Sequence, residues 1–393
     1  MADIVILDAV RTAIGKYGGT FQEIPAVQLG AAAIKELMRR HEIPAKGVVD
    51  DVIMGMVCQG GAGQIPSRQA AFKAGLDSST PSLTVNKVCA SGMRAVTLGA
   101  TLIKGGEKEF VIAGGMESMS QLPYYNFDLR WGKRMFDSKM VDAMVFDGLW
   151  CAFDNVHMAM HGDKIAKEFG ITREEMDRFA ALSQNRAEAA IKGGVFEAEI
   201  VPFYIPQKKG DPIEFKQDEF PRFGTTYESL AKLPQVFGKD NLITAGNAPG
   251  VNDAGGAMIL VTAEKAAAMG KKPLAKIIAY DHVAMEPYQF PIAPAYATRK
   301  LLDKVGLKVT DIDLFECNEA FAAVVLACGK ILEWDESKVN VNGGAIALGH
   351  PIGMSGARII MTLAFELKRR GGGKGVACIC SGSGQGDAVL IEV

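Results

Sequence analysis

Val85-Asn86-Lys-Val-Cys-Ala-Ser-Gly-Met-Arg94 decides the fold, because its frame occurs twice. Val85-Asn86 leads to Ser91-Gly92-Met93-Arg94, and Val341-Asn342 leads to Ser355-Gly356-Ala357-Arg358. Working outward, each copy continues into an apolar strand, Phe110–Ala113 in one half and Val376–Cys380 in the other. Upstream, Ile4-Val-Ile-Leu-Asp8 resembles Lys276-Ile-Ile-Ala-Tyr-Asp281, and the helix–strand stretch Leu29–Val57 resembles Tyr296–Asn318. The last strand, Gly386-Asp-Ala-Val-Leu-Ile391, finds its partner only at Gly255-Gly-Ala-Met-Ile-Leu-Val261. Residues 121–250 therefore read as an insertion before the last strand of the first half. The expected division is 1–120 plus 251–273, the inserted 121–250, and 274–393. Strands alternating with helices predict an α/β protein with mixed, mainly parallel sheets covered by helices. Ligands of such folds sit beyond the C-terminal ends of the strands.

The insertion is aromatic and charged near Tyr124–Phe136. It also carries a helix at Arg173–Lys192, opened by Thr172 with Glu175 as a capping box and closed by Gly193-Gly194. The 393 residues hold 43 basic and 45 acidic side chains, so net charge gives no reason to expect nucleic acid or a membrane surface as partner. No charge-free apolar run reaches ~18 residues, so no membrane span is expected. Seven cysteines without a dense framework, and a start that reads as a strand rather than a leader, predict a reducing, cytoplasmic setting.

Four side chains fall at strand ends in the two halves. Cys89 lies between a strand and a helix with the apolar stripe Met93, Val96, Ala100 and Ile103, where free N–H groups favour a thiolate and an oxyanion. On its own it reads as a small buried hydrophobe, the commoner fate of cysteine. His350, one of five histidines, sits in the glycine-rich Asn342–Gly353 loop at the junction equivalent to that of Cys89. A turn histidine bonded to backbone is its plainer reading. Cys380 ends a strand and would share a face with Cys378; their spacing is not a zinc signature. Gly382-Ser-Gly-Gln-Gly386 precedes a strand, so it is not a dinucleotide loop. Asn318 stands between a strand and a helix expected over Glu319–Leu332, as an N-cap or as a holder of a catalytic water. Two thiols and an imidazole suit acyl transfer.

These motifs resemble the thiolases, specifically the acetyl-CoA C-acetyltransferases. The likeness rests on Asn86–Arg94, Ala113-Gly-Gly-Met-Glu-Ser-Met119, Asn318-Glu-Ala-Phe-Ala322, Asn342–Gly353 and Cys380-Ser-Gly382, in that order along the whole chain. The resemblance implies two βαβαβαββ halves with an inserted loop domain. It implies Cys89 as the nucleophile that carries the acetyl group, His350 as its activator, and Cys380 as the acid/base at the methyl carbon of a second acetyl-CoA. The N–H groups of Cys89 and Gly382 would hold one oxygen, and His350 with a water on Asn318 the other. For coenzyme A it implies Arg222 near the nucleotide, with His157, Met158, Phe237, Ala245, Pro249 and Phe321 along the pantetheine arm. Arg222 as a solvated charge and Met158 as core filler are the bland alternatives.

The chain departs from the family pattern at Pro249, where a serine commonly bonds a pantetheine amide; proline offers neither hydroxyl nor N–H. His157-Met-Ala-Met-His161 also replaces the usual His-Met-Gly. Phe290-Pro-Ile-Ala-Pro-Ala-Tyr296 looks like mitochondrial-type acetoacetyl-CoA thiolases, and the bulky Phe290 predicts short 3-ketoacyl substrates. Some proteins of that type bind potassium; the sequence offers no ligand set for it, nor for any other metal. No prosthetic group is expected, with CoA and acetyl-CoA as substrates. A homo-oligomer, commonly a dimer of dimers, is implied by the resemblance. The competing readings are a broad-range degradative 3-ketoacyl-CoA thiolase, which keeps every catalytic residue, and a non-catalytic acyl-CoA or lipid carrier. Retention of Cys89, His350 and Cys380 together argues against the carrier. A decarboxylating ketoacyl synthase would pair its cysteine with two histidines, and a cysteine protease leaves the second thiol unexplained.

Overall fold

The computed structural model describes residues 3–393. The first half runs β1 (Ile4–Thr12), α1 (Ala26–His41), β2 (Asp51–Gly55), α2 (Pro66–Ala74), β3 (Ser82–Val85), α3 (Ser91–Lys104) and β4 (Phe110–Ser118). The intervening segment contributes α4 (Met158–Glu168) and α5 (Arg173–Lys192), after which β5 (Asn252–Thr262) returns to the first sheet. The second half is β6 (Ala275–Ala284), α6 (Ala293–Val305), β7 (Leu314–Cys317), α7 (Ala322–Leu332), α8 (Ile352–Arg369), β8 (Lys374–Ser381) and β9 (Gln385–Glu392).

The strand order is β3-β2-β4-β5-β1-β6-β9-β8-β7, and the halves meet where Ile4–Ile6 pairs with Ala275–Ile277. β5 opposes its neighbours β1 and β4, while β4, β2 and β3 run parallel. β9 likewise opposes β6 and β8, and β8 runs parallel to β7. Each half thus has one reversed strand, the one that arrives last in sequence. Even a bulge is repeated, after Ile6 in β1 and after Ile277 in β6. The counterpart of β3 shrinks to a single bridge between Phe315 and Val339, just ahead of the second Val-Asn pair.

Strand alternation builds the layers. Ile4 and Ile6 face a core shared with Met93 and Val96 of α3, Ile359 and Met361 of α8, and Ile379 of β8. Val5 and Leu7 point the other way, onto Ile34 and Leu37 of α1. Cys378 and Cys380 do the same in β8, facing Val324 of α7. The helices α3 and α8 therefore lie on the one face of the sheet that both halves share, with α1 and α7 on the other. α3 and α8 touch at the repeated glycines: a Cβ on Gly92 would lie 2.8 Å from the Ala357 nitrogen, and one on Gly356 only 2.5 Å from that of Met93. Because α3 and α8 cross near their N-termini, the loops ahead of them, with Cys89 and His350, are brought together.

α5 has the boundaries and capping box expected from its sequence, with Thr172 Oγ1 accepting the Glu175 N–H at 3.2 Å and Glu175 accepting the Thr172 N–H at 2.6 Å. Its apolar face and that of α4 pack into the core of the second half, on Phe321 and Val324, although the segment interrupts the first. It is also tied to β1, where the fully buried Arg11 donates to Glu199 at 2.7 Å and to both oxygens of Asp218 at 2.7 and 2.9 Å. Removing one partner from such a buried cluster costs about 3–5 kcal/mol.

The stretch after β7 differs from the sequence expectation. β7 runs to Cys317 and α7 starts at Ala322 rather than Glu319, with Phe321 as its N-cap. Asn318 is consequently not a helix cap. Its backbone still follows β8, donating its N–H to Cys378 O at 2.9 Å, which leaves the side chain free of any capping duty.

Candidate active site

Cys89 stands in a turn the sequence has to force. Val88, just before it, has φ +44°, a conformation β-branched residues rarely take. Side chains hold the turn: Asn86 Oδ1 accepts the Val88 N–H at 3.0 Å, and Ser91 Oγ accepts the Lys87 N–H at 2.8 Å while donating to Val88 O at 2.6 Å. The second half adds Ser381 Oγ, which donates to Lys87 O at 2.5 Å, and Asp387, whose carboxylate lies 2.6 Å from Lys87 Nζ. The loop of one half is thus clasped by the loop of the other.

The imidazole of His350 arrives from the equivalent loop. Gly349, at φ +108°, has no room for a side chain, since a Cβ would lie 2.5 Å from Asn252 Cγ. That approach lets Asn252 Oδ1 accept the His350 N–H at 2.9 Å. His350 Nδ1 lies 2.6 Å from Ser355 Oγ, which donates its own hydrogen to Pro351 O at 3.0 Å. Ser355 can then only accept from the ring, so Nδ1 carries the proton and Nε2 offers a lone pair. Nε2 lies 3.3 Å from Cys89 Sγ.

Burial, aided by the Arg358 charge, pushes His350 down to about 3. Burial pushes the Cys89 thiol up to about 12, against the backbone N–H groups of Cys89 and Gly382 that point at the sulfur. The resting pair is therefore neutral, a thiol facing an imidazole base. Cys380 is fully buried, and burial with the neighbouring Cys89 thiol raises it well above the usual range. Asn318 is fully buried too, and neither its Oδ1 nor its Nδ2 has a protein partner. Two orphaned polar atoms beside a cavity cost about 1–3 kcal/mol each unless a bound molecule completes them.

Cys89 and His350 open onto a cavity of about 260 Å3. Its walls are apolar: Val88, Met119, Leu149, Met158, Val251, Phe290, Phe321 and Ile352. His157, Phe237, Ala245 and Pro249 line its outer part, with the His157 ring stacked on Phe237 at 4.5 Å. His157 Nδ1 caps α4 by accepting the Ala159 N–H at 3.2 Å, and burial lowers the ring's affinity for a proton. Gly382 sits behind Met158 and Val88, each within 3.4 Å of where its Cβ would be. Arg222 is exposed and outside the cavity wall; its Nη2 donates to Ala245 O at 3.2 Å, which puts the guanidinium at the mouth. Cys380 and Asn318 lie behind the wall rather than in it.

Several residues here have no role in the sequence reading. Ser355 and Glu117 belong to quoted motifs, but nothing in the order of residues says what they touch. Glu117 is fully buried and accepts the N–H groups of Val57, Cys58 and Gly353 at 3.0, 3.2 and 2.9 Å. Burial nonetheless raises its carboxyl to about 7. It joins the start of α8 to the Cys58 loop. Lys87, Asp387 and Asn252 are likewise legible only as a constellation.

A thiol facing a neutral imidazole, two backbone N–H groups converging on its sulfur and a second thiol beside it are the parts acyl transfer requires, set across two copies of one α/β unit. The chain belongs to the thiolase family. The descriptions "Thiolase, N-terminal domain" and "Thiolase, C-terminal domain" match residues 4–264 and 271–393. The acetyl-CoA acetyltransferase of Pseudomonas aeruginosa is 50% identical over 391 residues, covering 100% of this chain and 99% of that protein. The enzyme of the same name from Cupriavidus necator is 49% identical, with 100% of each chain covered. The crystal structure of the Bacillus anthracis acetyl-CoA acetyltransferase superposes with a TM-score of 0.97 at 40% identity, covering 100% of this chain and 99% of that one.

Proposed function

We propose that the chain is an acetyl-CoA C-acetyltransferase, which reversibly joins two acetyl-CoA to acetoacetyl-CoA and CoA. The observation that carries the mechanism is the 3.3 Å approach of His350 Nε2 to Cys89 Sγ at the end of an apolar cavity. His350 takes the Cys89 proton as sulfur attacks the thioester, and returns it to the departing CoA thiolate. The Cys89 and Gly382 N–H groups hold the oxygen of acetyl-Cys89. In the second half-reaction Cys380, having given its proton to His350, removes one from the methyl carbon of the next acetyl-CoA. The enolate, its oxygen held by His350 and a water on Asn318, attacks the acetyl carbon. The C–S bond to Cys89 breaks, and the Cys89 thiolate recovers the proton held by His350.

Phe290 and Phe321 both line the cavity, with ring centroids 6.5 Å apart, and their bulk supports short substrates. His157, Met158, Phe237, Ala245 and Pro249 would take the pantetheine arm, with Arg222 at the mouth for the nucleotide. CoA is substrate here, so no prosthetic group is called for. A homo-oligomer is supported by Trp131, Met135 and Phe136, which lie in one loop and are 90%, 70% and 90% exposed; exposed apolar surface of that kind marks an interface. No helix is long and apolar enough to cross a membrane among the described residues. All seven cysteines are free thiols, which supports a reducing, cytoplasmic location.

Thiolysis of acetoacetyl-CoA beside a longer 3-ketoacyl-CoA tests the reading. Turnover of the C4 substrate alone supports it. Comparable turnover of both replaces it with a broad-range thiolase, and turnover of neither by folded protein removes the enzyme assignment.

A further inference from the structure

We propose that Cys151, Asp154 and His161 form a binding site for a divalent cation of zinc type, which ties a hairpin of the cavity wall to α4. The Cys151 sulfur, an Asp154 carboxylate oxygen and an imidazole nitrogen of His161 all lie within 4.8 Å of one another. They come from one continuous stretch, a hairpin followed by the first turn of α4. Cys151 ends the strand Trp150–Cys151, Asp154 lies in the turn before the strand Val156–His157, and His161 is in the first turn of α4. Asn155 at φ +53° makes that turn tight enough to swing Asp154 back over the helix.

The donor chemistry selects the ion. One thiolate, one carboxylate and one imidazole favour zinc and its neighbours over magnesium or calcium, which want oxygen alone. Two anionic ligands cancel the charge of a divalent ion, so a nearly buried site carries no net charge. Cys151 and His161 are only 2% and 4% exposed, whereas the Asp154 side chain is 44% exposed and gives the ion a way in. His161 Nε2 is 3.0 Å and Cys151 Sγ 3.9 Å from the same Asp154 oxygen, close to the ligand spacing of a tetrahedral centre. His161 Nδ1 has no hydrogen-bond partner, so the Asp154 carboxylate facing Nε2 is the only polar group holding the ring. Binding replaces the Cys151 S–H bond with a sulfur–metal bond and releases one proton per ion.

The consequence reaches the cavity. Leu149, just before the hairpin, and His157, at its end, both line the wall, and Met158 begins α4. An ion held by Cys151, Asp154 and His161 would fix the hairpin, with Leu149 and His157, against α4.

The test is a Co2+ titration of the full-length, chelator-stripped protein in a Cys89→Ser background, so that the catalytic thiol cannot contribute. The expected result is a sulfur-to-cobalt charge-transfer band that saturates at one ion per chain, is displaced by Zn2+, and vanishes on adding Cys151→Ser. No such band, or one that survives Cys151→Ser, overturns the proposal. Where Cys151→Ser does not fold, His161→Gln decides: Co2+ affinity should fall at least about tenfold, and unchanged affinity overturns the site. The spectroscopic readout is independent of thiolysis, so failure here leaves the acetyltransferase reading untouched.

Discussion

Ser355→Ala removes the acceptor that holds the His350 ring, and its effect can be sized from the structure. Ser355 is 1% exposed, and its Oγ accepts from His350 Nδ1 at 2.6 Å while donating to Pro351 O at 3.0 Å. Alanine leaves the Nδ1–H buried without a partner, at a cost of about 1–3 kcal/mol. The ring can escape by moving its proton to Nε2, which abolishes the base facing Cys89, or by rotating, which lengthens the 3.3 Å contact to sulfur. Both escapes penalise the transition state, where the ring is cationic and needs the Ser355 acceptor most. At about 1.4 kcal/mol per decade, the acetylation step should slow roughly 10- to 100-fold. Stopped-flow release of CoA from acetyl-CoA reports that step directly, and a melting temperature lowered by no more than a few degrees would separate it from general damage. Ser355→Thr keeps the hydroxyl and should restore much of the rate. An acetylation rate in Ser355→Ala within twofold of the parent would refute the assigned proton placement.

Four further outcomes are expected. Gly356→Ala drives a Cβ to 2.5 Å from the Met93 nitrogen, so it should cost about 1–3 kcal/mol or more in denaturant unfolding; a neutral result would mean α3 and α8 separate easily. His350, with its folded pKa lowered to about 3, binds a proton only when unfolded below the usual 6.5, so it removes stability as pH falls. Its contribution is complete above about 6.5, and the wild type should lose about 2 kcal/mol relative to His350→Asn between pH 7.5 and 5; a pH-independent difference contradicts the buried neutral ring. Asn318→Ala should leave stability unchanged or higher, because both side-chain ends are unpaired, while condensation slows far more than acetyl transfer to Cys89; equal loss in both steps would remove its assigned place at the enolate. Pro249→Ser, at the cavity rim, should lower the Michaelis constant for CoA severalfold, and an unchanged constant would show that the missing hydroxyl is immaterial.

The sequence by itself determined the duplicated plan. Periodic apolar residues and turn glycines are local signals, and a repeat makes each of them visible twice. The same logic exposed β5 as the displaced partner of β9, because a strand's apolar pattern survives an interruption of the chain. The boundaries of α5 were legible because Thr172 and Glu175 satisfy its first turn without help from elsewhere. The start of α7 was not, because nothing local fixes it: Asn318 looks like a cap, and the backbone instead follows β8 for one more residue. Cys89, His350 and Cys380 could be singled out by their places at strand ends and by the family resemblance. The resemblance also implied their roles, but not their protonation. The direction in which His350 carries its proton depends on Ser355 and Pro351, and the neutral state of the pair depends on burial by both halves. Cys151, Asp154 and His161 were invisible as a set, since a turn and a helix phase bring them together without metal-binding spacing. Tertiary structure alone decided these points, because hydrogen-bond direction, desolvation and ligand convergence are properties of what surrounds a residue in space rather than of its neighbours in the chain.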